Sequence, residues 1–223
     1  LAGHVPIPHY VIADGIAGID GTWNLSYPQV VKPLDNRGAR GVFMVREPGE
    51  LYSLAIESSR YCIKDQRLML QEYLDGPQLS VEGMMIDGDA YLPIVFDRNY
   101  ADTKDLLPYI IENGGEMPSK YVDRYGAAIS DTMTRAGRAL GIRNGPIKGD
   151  LVIHNGDVYV IEIAGRMSGG FMGTLAAKLA VGANITLANA EFAIYGKAST
   201  NWLRHTEGKY AAIRFAWPQT MGV

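Results

Sequence analysis

The run GDLVIHNGDVYVIEIAG, residues 149 to 165, constrains this chain more than any other. Two Val/Ile-rich segments flank the dipeptide Asn155-Gly156, and Asn-Gly between alternating apolar residues is the strongest short-range signal for an antiparallel hairpin. The hairpin also carries two carboxylates, Asp150 and Glu162, among residues that favour a core. Desolvating an unpaired charge is costly, and buried carboxylates pair with a cation or coordinate a metal. Glu162 is therefore expected to meet a cation.

Side chains alternate faces along a strand, so the loop length decides whether Asp150 and Glu162 share one. A two-residue Asn155-Gly156 turn pairs Ile153 with Val158, sets residue 150 opposite 161, and puts the two carboxylates on opposite faces. A three-residue loop, His154-Asn155-Gly156 with a left-handed Gly156, puts Lys148, Asp150 and Glu162 on one face. The sequence allows both. Two carboxylates and a lysine on one face make a poor core and a good site for a hard cation such as Mg²⁺, which takes oxygen ligands and is typically shared with substrate phosphates. His154, at the loop tip, reads as solvent-facing.

The rest of the chain places this hairpin in an α+β fold with two lobes. Strand signals at 27–33 and 41–45 flank the glycine-bearing loop DNRGAR, and a helix is expected from Glu47 to Arg60 with Leu51, Leu54 and Ala55 on one face. LMLQEYL leads through DGP into QLSVEGMMI, the turn Asp87-Gly88 and AYLPIVF. The longest helix is expected from Ser119, its N-cap, to Leu140, with Val122, Tyr125, Ile129, Met133, Ala136 and Leu140 as its apolar stripe and Gly141 as its stop. Two shorter helices break at Gly182, the second burying Ile185, Ala188, Phe192 and Tyr195.

Composition narrows the function. With 223 residues, 47% hydrophobic and 20% charged, and a net charge of -3, the chain reads as an ordinary globular protein. No Lys/Arg block suggests nucleic acid or an anionic membrane as a partner, and no apolar run approaches the roughly 20 residues that span a bilayer. The single cysteine, Cys62, fits a reducing cytoplasm and reads as a packing residue, with no cysteine metal cluster. LAGHVPIPHY reads like the middle of a protein, and KYAAIRFAWPQTMGV begins a strand and then stops, so a longer parent chain is expected.

Taken in order, the motifs resemble the ATP-grasp family over nearly the whole chain. YPQVVKPLDNRGARGV looks like the family's lysine strand and glycine-rich phosphate loop, LQEYLDGPQLSVEG like its hinge, and GPIKGDLVI with VIEIAGR like its metal-binding hairpin and following arginine. The resemblance implies antiparallel sheets with flanking helices, a small lobe over 1–73, a large lobe over 74–223 with ATP between them, and a substrate domain upstream. It implies that Lys32 reaches the α- and β-phosphates as a flexible point charge, and that Gly38, Arg40 and Gly41 serve the phosphate loop, where backbone N–H groups approach closely. Glu72, Tyr73 and Leu74 would meet adenine, Gln78 the ribose, and Lys148 the nucleotide. Asp150 and Glu162 would hold Mg²⁺ or Mn²⁺, and Arg166 would stabilise charge on the transferring phosphoryl group. Ser168, Gly169 and Gly170 would shape a phosphate or substrate pocket or simply form a loop feeding the next helix, and Arg98 would either hold a substrate carboxylate, a role the two glycines could also take, or make a surface or structural salt bridge.

Departures bear on the metal count. Ala164 stands where the family often carries asparagine, Asp150 where a longer glutamate is common, and Lys148 where histidine often sits, while Gln71, Gln78 and Ala39 replace two hinge glutamates and a loop serine. The chemistry implied is ADP-forming ligation of a small carboxylate to an amine through an acyl phosphate, in a closed, dry site completed by the 35–41 loop. Homodimer formation is left open. The alternative, favoured by Ala164, is a nucleotide-binding module without activity of its own. A protein kinase, suggested by VVKP, is excluded by the absence of His-Arg-Asp and Asp-Phe-Gly motifs.

Overall fold

The computed structural model describes residues 4–19, 21 and 23–216. The chain forms two compact units. The smaller holds Pro8–Leu74 and Tyr100–Glu112, and the larger holds Asp75–Asn99, residues 113 onward and the stretch before Pro8. The excursion at Tyr100–Glu112 is a feature that a simple division after residue 73 omits. At its base the Asn113 N–H donates to Asn99 O at 2.8 Å and the Asn99 N–H to Gly114 O at 2.8 Å, which closes the neck of the excursion.

The smaller unit is a four-stranded antiparallel sheet, with strands β1 (Tyr10–Ala13), β2 (Gln29–Pro33), β3 (Phe43–Val45) and β4 (Leu68–Glu72) in the order β1-β4-β2-β3. Helix α1 (Pro48–Ser59) packs on it through Leu51 and Ala55, against Val31, Phe43, Val45, Leu68 and Leu70. Pro48 at the first helical position pre-sets φ, and Glu47 is the flanking residue, so the helix begins one residue later than the sequence suggested. The excursion supplies the short helix α2 (Thr103–Leu106), Pro108, whose carbonyl accepts the Met44 N–H at 2.8 Å, and Tyr109, whose ring meets Phe43 edge-on at 5.5 Å.

The larger unit is built on a six-stranded antiparallel sheet: β5 (Gln78–Ile86), β6 (Asp89–Arg98), β7 (Gly115–Met117), β8 (Gly145–His154), β9 (Asp157–Ala164) and β10 (Ala211–Ile213), in the order β10-β7-β6-β5-β8-β9. Asp87 and Gly88, both at positive φ, turn β5 into β6 as Asn155 and Gly156 turn β8 into β9. One face packs Leu79, Val81, Ile147 and Leu151 against Ile129, Met133 and Ala136 of α3 (Val122–Ala139). Burying each of Ile129 and Met133 contributes about 1.5–3 kcal/mol. The other face packs Met84, Ile94, Phe96 and Met117 against a π-helical turn, Met172–Ala176, and helices α4 (Ala177–Ala180) and α5 (Ile185–Tyr195).

Three helix expectations are corrected. Ser119 does not cap α3; its hydroxyl accepts the Tyr121 N–H at 3.0 Å in a preceding turn, and the helix starts at Val122. Val122 and Leu140, at the two ends of the expected stripe, are exposed, Leu140 just beyond the last helical residue. Tyr195, in the last turn of α5 before the left-handed Gly196, is exposed too.

Candidate functional site

In the smaller unit Lys32 sits inside β2, opposite Met69 of β4, and its Nζ donates to the Gln71 side-chain oxygen at 2.8 Å. The loop that follows is bent by three consecutive-region left-handed residues, Gly38, Ala39 and Gly41. A Cβ on Gly41 would stand 2.7 Å from the Tyr61 Cβ, so no side chain fits there. Both loop ends are tied down. The Asp35 carboxylate accepts the backbone N–H groups of Ile63, Lys64 and Asp65, which hold it below the usual carboxylate range, and Ser58 Oγ donates to Gly41 O at 2.7 Å. Arg40 is exposed between them. Glu72 ends β4, with its N–H donating to His9 O at 2.8 Å, the Tyr73 N–H donates to Pro28 O at 3.2 Å, and Leu74 is buried. Cys62 is half-buried, and burial, then Asp35 and Asp65, pushes its thiol up, as suits a packing residue.

In the larger unit the hairpin answers the register question by a third route. The Asn155-Gly156 turn has two residues, pairing His154 with Asp157 and Ile153 with Val158, which by itself sends Asp150 and Glu162 to opposite faces. A β-bulge then intervenes: Leu151 pairs with Val160 and Asp150 with Glu162, so Ile161 is the extra residue and the two carboxylates face each other across the strands. Ser80 of β5 pairs with Asp150 on its other side, and the next row is Glu82, Lys148, Ala164. Ser80, Glu82, Lys148, Asp150 and Glu162 thus share one face. Gln78, the first residue of β5, pairs with Val152 and is half-buried.

The charges do not sit as the sequence suggested. Glu162 is exposed, because β9 is the edge strand of the sheet. The buried carboxylates are Asp150 and Glu82, 7% and 0% exposed. Asp150 accepts from the Ser80 hydroxyl at 2.7 Å, pairs with the Arg98 guanidinium at 3.2 Å, and accepts from the Lys148 ammonium. Burial alone would raise its pKa, but Arg98, Lys148 and Ser80 outweigh it and hold the carboxyl below its ordinary value. Glu82 accepts from the Ser168 N–H at 2.8 Å and the Ser168 hydroxyl at 2.5 Å, yet its burial dominates and raises its pKa. Arg166 is exposed, its guanidinium donating to Met167 O at 2.9 Å. Gly169 and Gly170 lie exposed beyond it, and His154, half-buried, bonds through Nδ1 to Asp75 O at 2.8 Å.

Sequence reasoning missed Ser80 and Glu82. The signal was there: LSVEG alternates like the hairpin and sets a serine and a glutamate on one face of an apolar strand.

A family model described as the ATP-grasp domain matches residues 25–175. The chain belongs to the ATP-grasp family. Among curated relatives, the ATP-grasp enzyme fsqD of Aspergillus fumigatus is 29% identical over 131 residues, 54% of this chain and 22% of that protein. Tyramine–L-glutamate ligase of Methanocaldococcus jannaschii is 26% identical over 109 residues, 49% of this chain and 32% of that one. The chain thus matches about a fifth to a third of the length of these relatives. Among solved structures, an L-amino acid ligase from Bacillus licheniformis shares the fold, with a TM-score of 0.70 at 24% identity over 86% of this chain and 44% of that one. The α+β architecture of two antiparallel sheets with flanking helices is the ATP-grasp fold. No helix among the described residues is long and apolar enough to cross a membrane.

Proposed function

We propose that this chain binds ATP with Mg²⁺ and is the nucleotide-binding part of an ADP-forming carboxylate-amine ligase. The observation that carries this reading is the bulge at Ile161, which sets Asp150 and Glu162 side by side on a face that also bears Lys148 and Arg98. Bulges are over-represented at sheet edges and next to active sites, where they re-aim a side chain; the outcome here is two carboxylates at one point beside cations suited to phosphate or carboxylate oxygens. The tyramine–L-glutamate and L-amino acid ligases among the similar proteins support an amine and a carboxylate as the substrate classes.

The donors present fit one Mg²⁺ completed by the nucleotide. Among the described residues no three His, Cys, Asp or Glu side chains gather into a metal site, and Mg²⁺ characteristically takes one or two carboxylates and shares substrate phosphates. Glu162, with Asp150, would hold it, and when bound it would neutralise phosphate charge. Lys32 and the 35–41 loop would contact phosphates, Glu72 to Leu74 adenine, Gln78 ribose, and Arg166 the phosphoryl group in transfer. In the reaction class a carboxylate oxygen attacks the γ-phosphorus and ADP leaves; the amine nitrogen then attacks the acyl carbon, phosphate leaves, and the amine gives up a proton.

A second reading, a nucleotide-binding module without ligase activity, is favoured by the engagement of both Asp150 oxygens by protein donors. Thermal unfolding separates the outcomes. A ligand at 100 times its dissociation constant adds about 2.7 kcal/mol. The ligase reading expects MgADP to stabilise the chain and Glu162→Gln to lose the Mg²⁺-dependent part, followed by ADP release in a screen of carboxylates and amines. Stabilisation by ADP with no response to Mg²⁺ supports the module, and no stabilisation by either refutes nucleotide binding.

A further inference from the structure

We infer that Glu82 is a positioning residue, which holds the backbone after Arg166 and thereby aims that arginine. This rests on the reading of Arg166 as facing the transferring phosphoryl group. Glu82 lies inside β5 with no solvent exposure, and its two oxygens take the two donors of one residue: Oε1 the Ser168 N–H at 2.8 Å, Oε2 the Ser168 hydroxyl at 2.5 Å.

On its other side the chain returns against the same carboxylate. A Cβ on Gly173 would stand 2.9 Å from Oε1 and closer still to Oε2, so the first turn after the loop packs its bare backbone on Glu82. Between these two points run Gly169, Gly170, Phe171 and the buried Met172, with Gly170 and Phe171 at positive φ. Gly169 and Phe171 are exposed, while Met167 and Met172 on either side pack into the core. Arg166 is two residues before Ser168, also exposed, and preceded by Gly165. Beside the packing of Met167, the Glu82 side chain pinning Ser168 fixes the backbone that follows Arg166.

The residue type follows from the donors. An N–H and an O–H converging from one residue need two acceptor oxygens. Glutamine presents one oxygen and an NH₂ group that would meet a donor. A glutamate that merely filled space would need no such pairing, and leucine would serve better.

The test compares the chain with Glu82→Gln, which is nearly isosteric, and with Ser168→Ala, which removes one bond from the partner side. Hydrogen exchange at the Ser168 to Gly170 amides reads the tether, and the affinity for MgADP with and without fluoroaluminate, a mimic of the phosphoryl group in transfer, reads Arg166. Glu82→Gln is expected to speed exchange at Ser168 about tenfold or more, the factor one charge-assisted hydrogen bond supports. It should leave MgADP affinity within about twofold and abolish the tightening by fluoroaluminate, as Arg166→Ala does, with Ser168→Ala intermediate. Unchanged exchange at Ser168 overturns the tether. Retained fluoroaluminate tightening in Glu82→Gln, where Arg166→Ala loses it, overturns the link to Arg166. If fluoroaluminate tightens MgADP in both variants, the phosphoryl role of Arg166 falls and with it the positioning role.

Discussion

Replacing Asp150 with alanine tests how the charges inside the larger sheet are balanced. Asp150 is 7% exposed and Lys148 8%, with Arg98 at 3.2 Å and the Ser80 hydroxyl at 2.7 Å. The substitution removes a bonded carboxylate from two largely desolvated cations, and breaking a buried pair from one side costs about 3–5 kcal/mol. In a chain of this size each kcal/mol moves Tm by about 2–4 °C, so Tm should fall by about 6–20 °C. Asp150→Ala combined with Lys148→Met removes the ammonium as well and should recover much of the loss, since replacing a buried pair with packed apolar groups is often close to neutral. Urea unfolding followed by circular dichroism measures both. The carboxyl is held low by Arg98, Lys148 and Ser80 against its burial, so its contribution is present above the ordinary carboxyl pKa and is lost as pH falls through the lowered folded value. The variant should lack that acid-side loss. A cost under about 1 kcal/mol, the value of a surface pair, or a double variant no more stable than the single one, would refute this account of the network.

Glu82 should give the opposite pH dependence. Its folded pKa is raised by burial, so its contribution is full below the ordinary glutamate value and is lost as pH rises through the folded one; denaturation across that window should show the loss in the wild type and not in Glu82→Gln. Asn155 holds a left-handed φ of 51° at the hairpin turn, so Asn155→Ala should cost about 1 kcal/mol in urea unfolding and Asn155→Gly much less. Lys32→Ala should weaken MgADP binding by about tenfold or more in calorimetry; unchanged affinity would remove Lys32 from the phosphate site.

The hairpin was legible because Asn-Gly fixes a turn type and alternation fixes faces, and the strand 78–86 was read to its ends for the same reason. The facing of Asp150 and Glu162 was not, because a bulge at Ile161 depends on how β8 and β9 twist together and leaves no mark in VYVIEIA. The exposure of Glu162 was not legible either, because an apolar run does not say whether its strand lies at a sheet edge. Short strands such as Tyr10–Ala13 and Gly115–Met117 owe their state to neighbours far along the chain, Gln71 to Leu68 in one case and Asp97 and Arg98 in the other. The bend at 38–41 was legible from its glycines, whose positive φ values no alternative residue adopts as readily.

The Tyr100–Glu112 excursion restricts how evolution or an engineer can reuse these parts. The polypeptide passes from one unit to the other after residues 7, 74, 99 and 112, so neither unit is a contiguous cassette. A gene fragment covering 8–74 would lack the Pro108 carbonyl for Met44 and the Tyr109 ring for Phe43, leaving the last strand of its sheet without its cover. Domain shuffling by simple cut and paste would therefore yield an incomplete piece. Transplanting the smaller unit requires a rewired chain that links 74 to 100 directly, with the four crossings reduced to two ends.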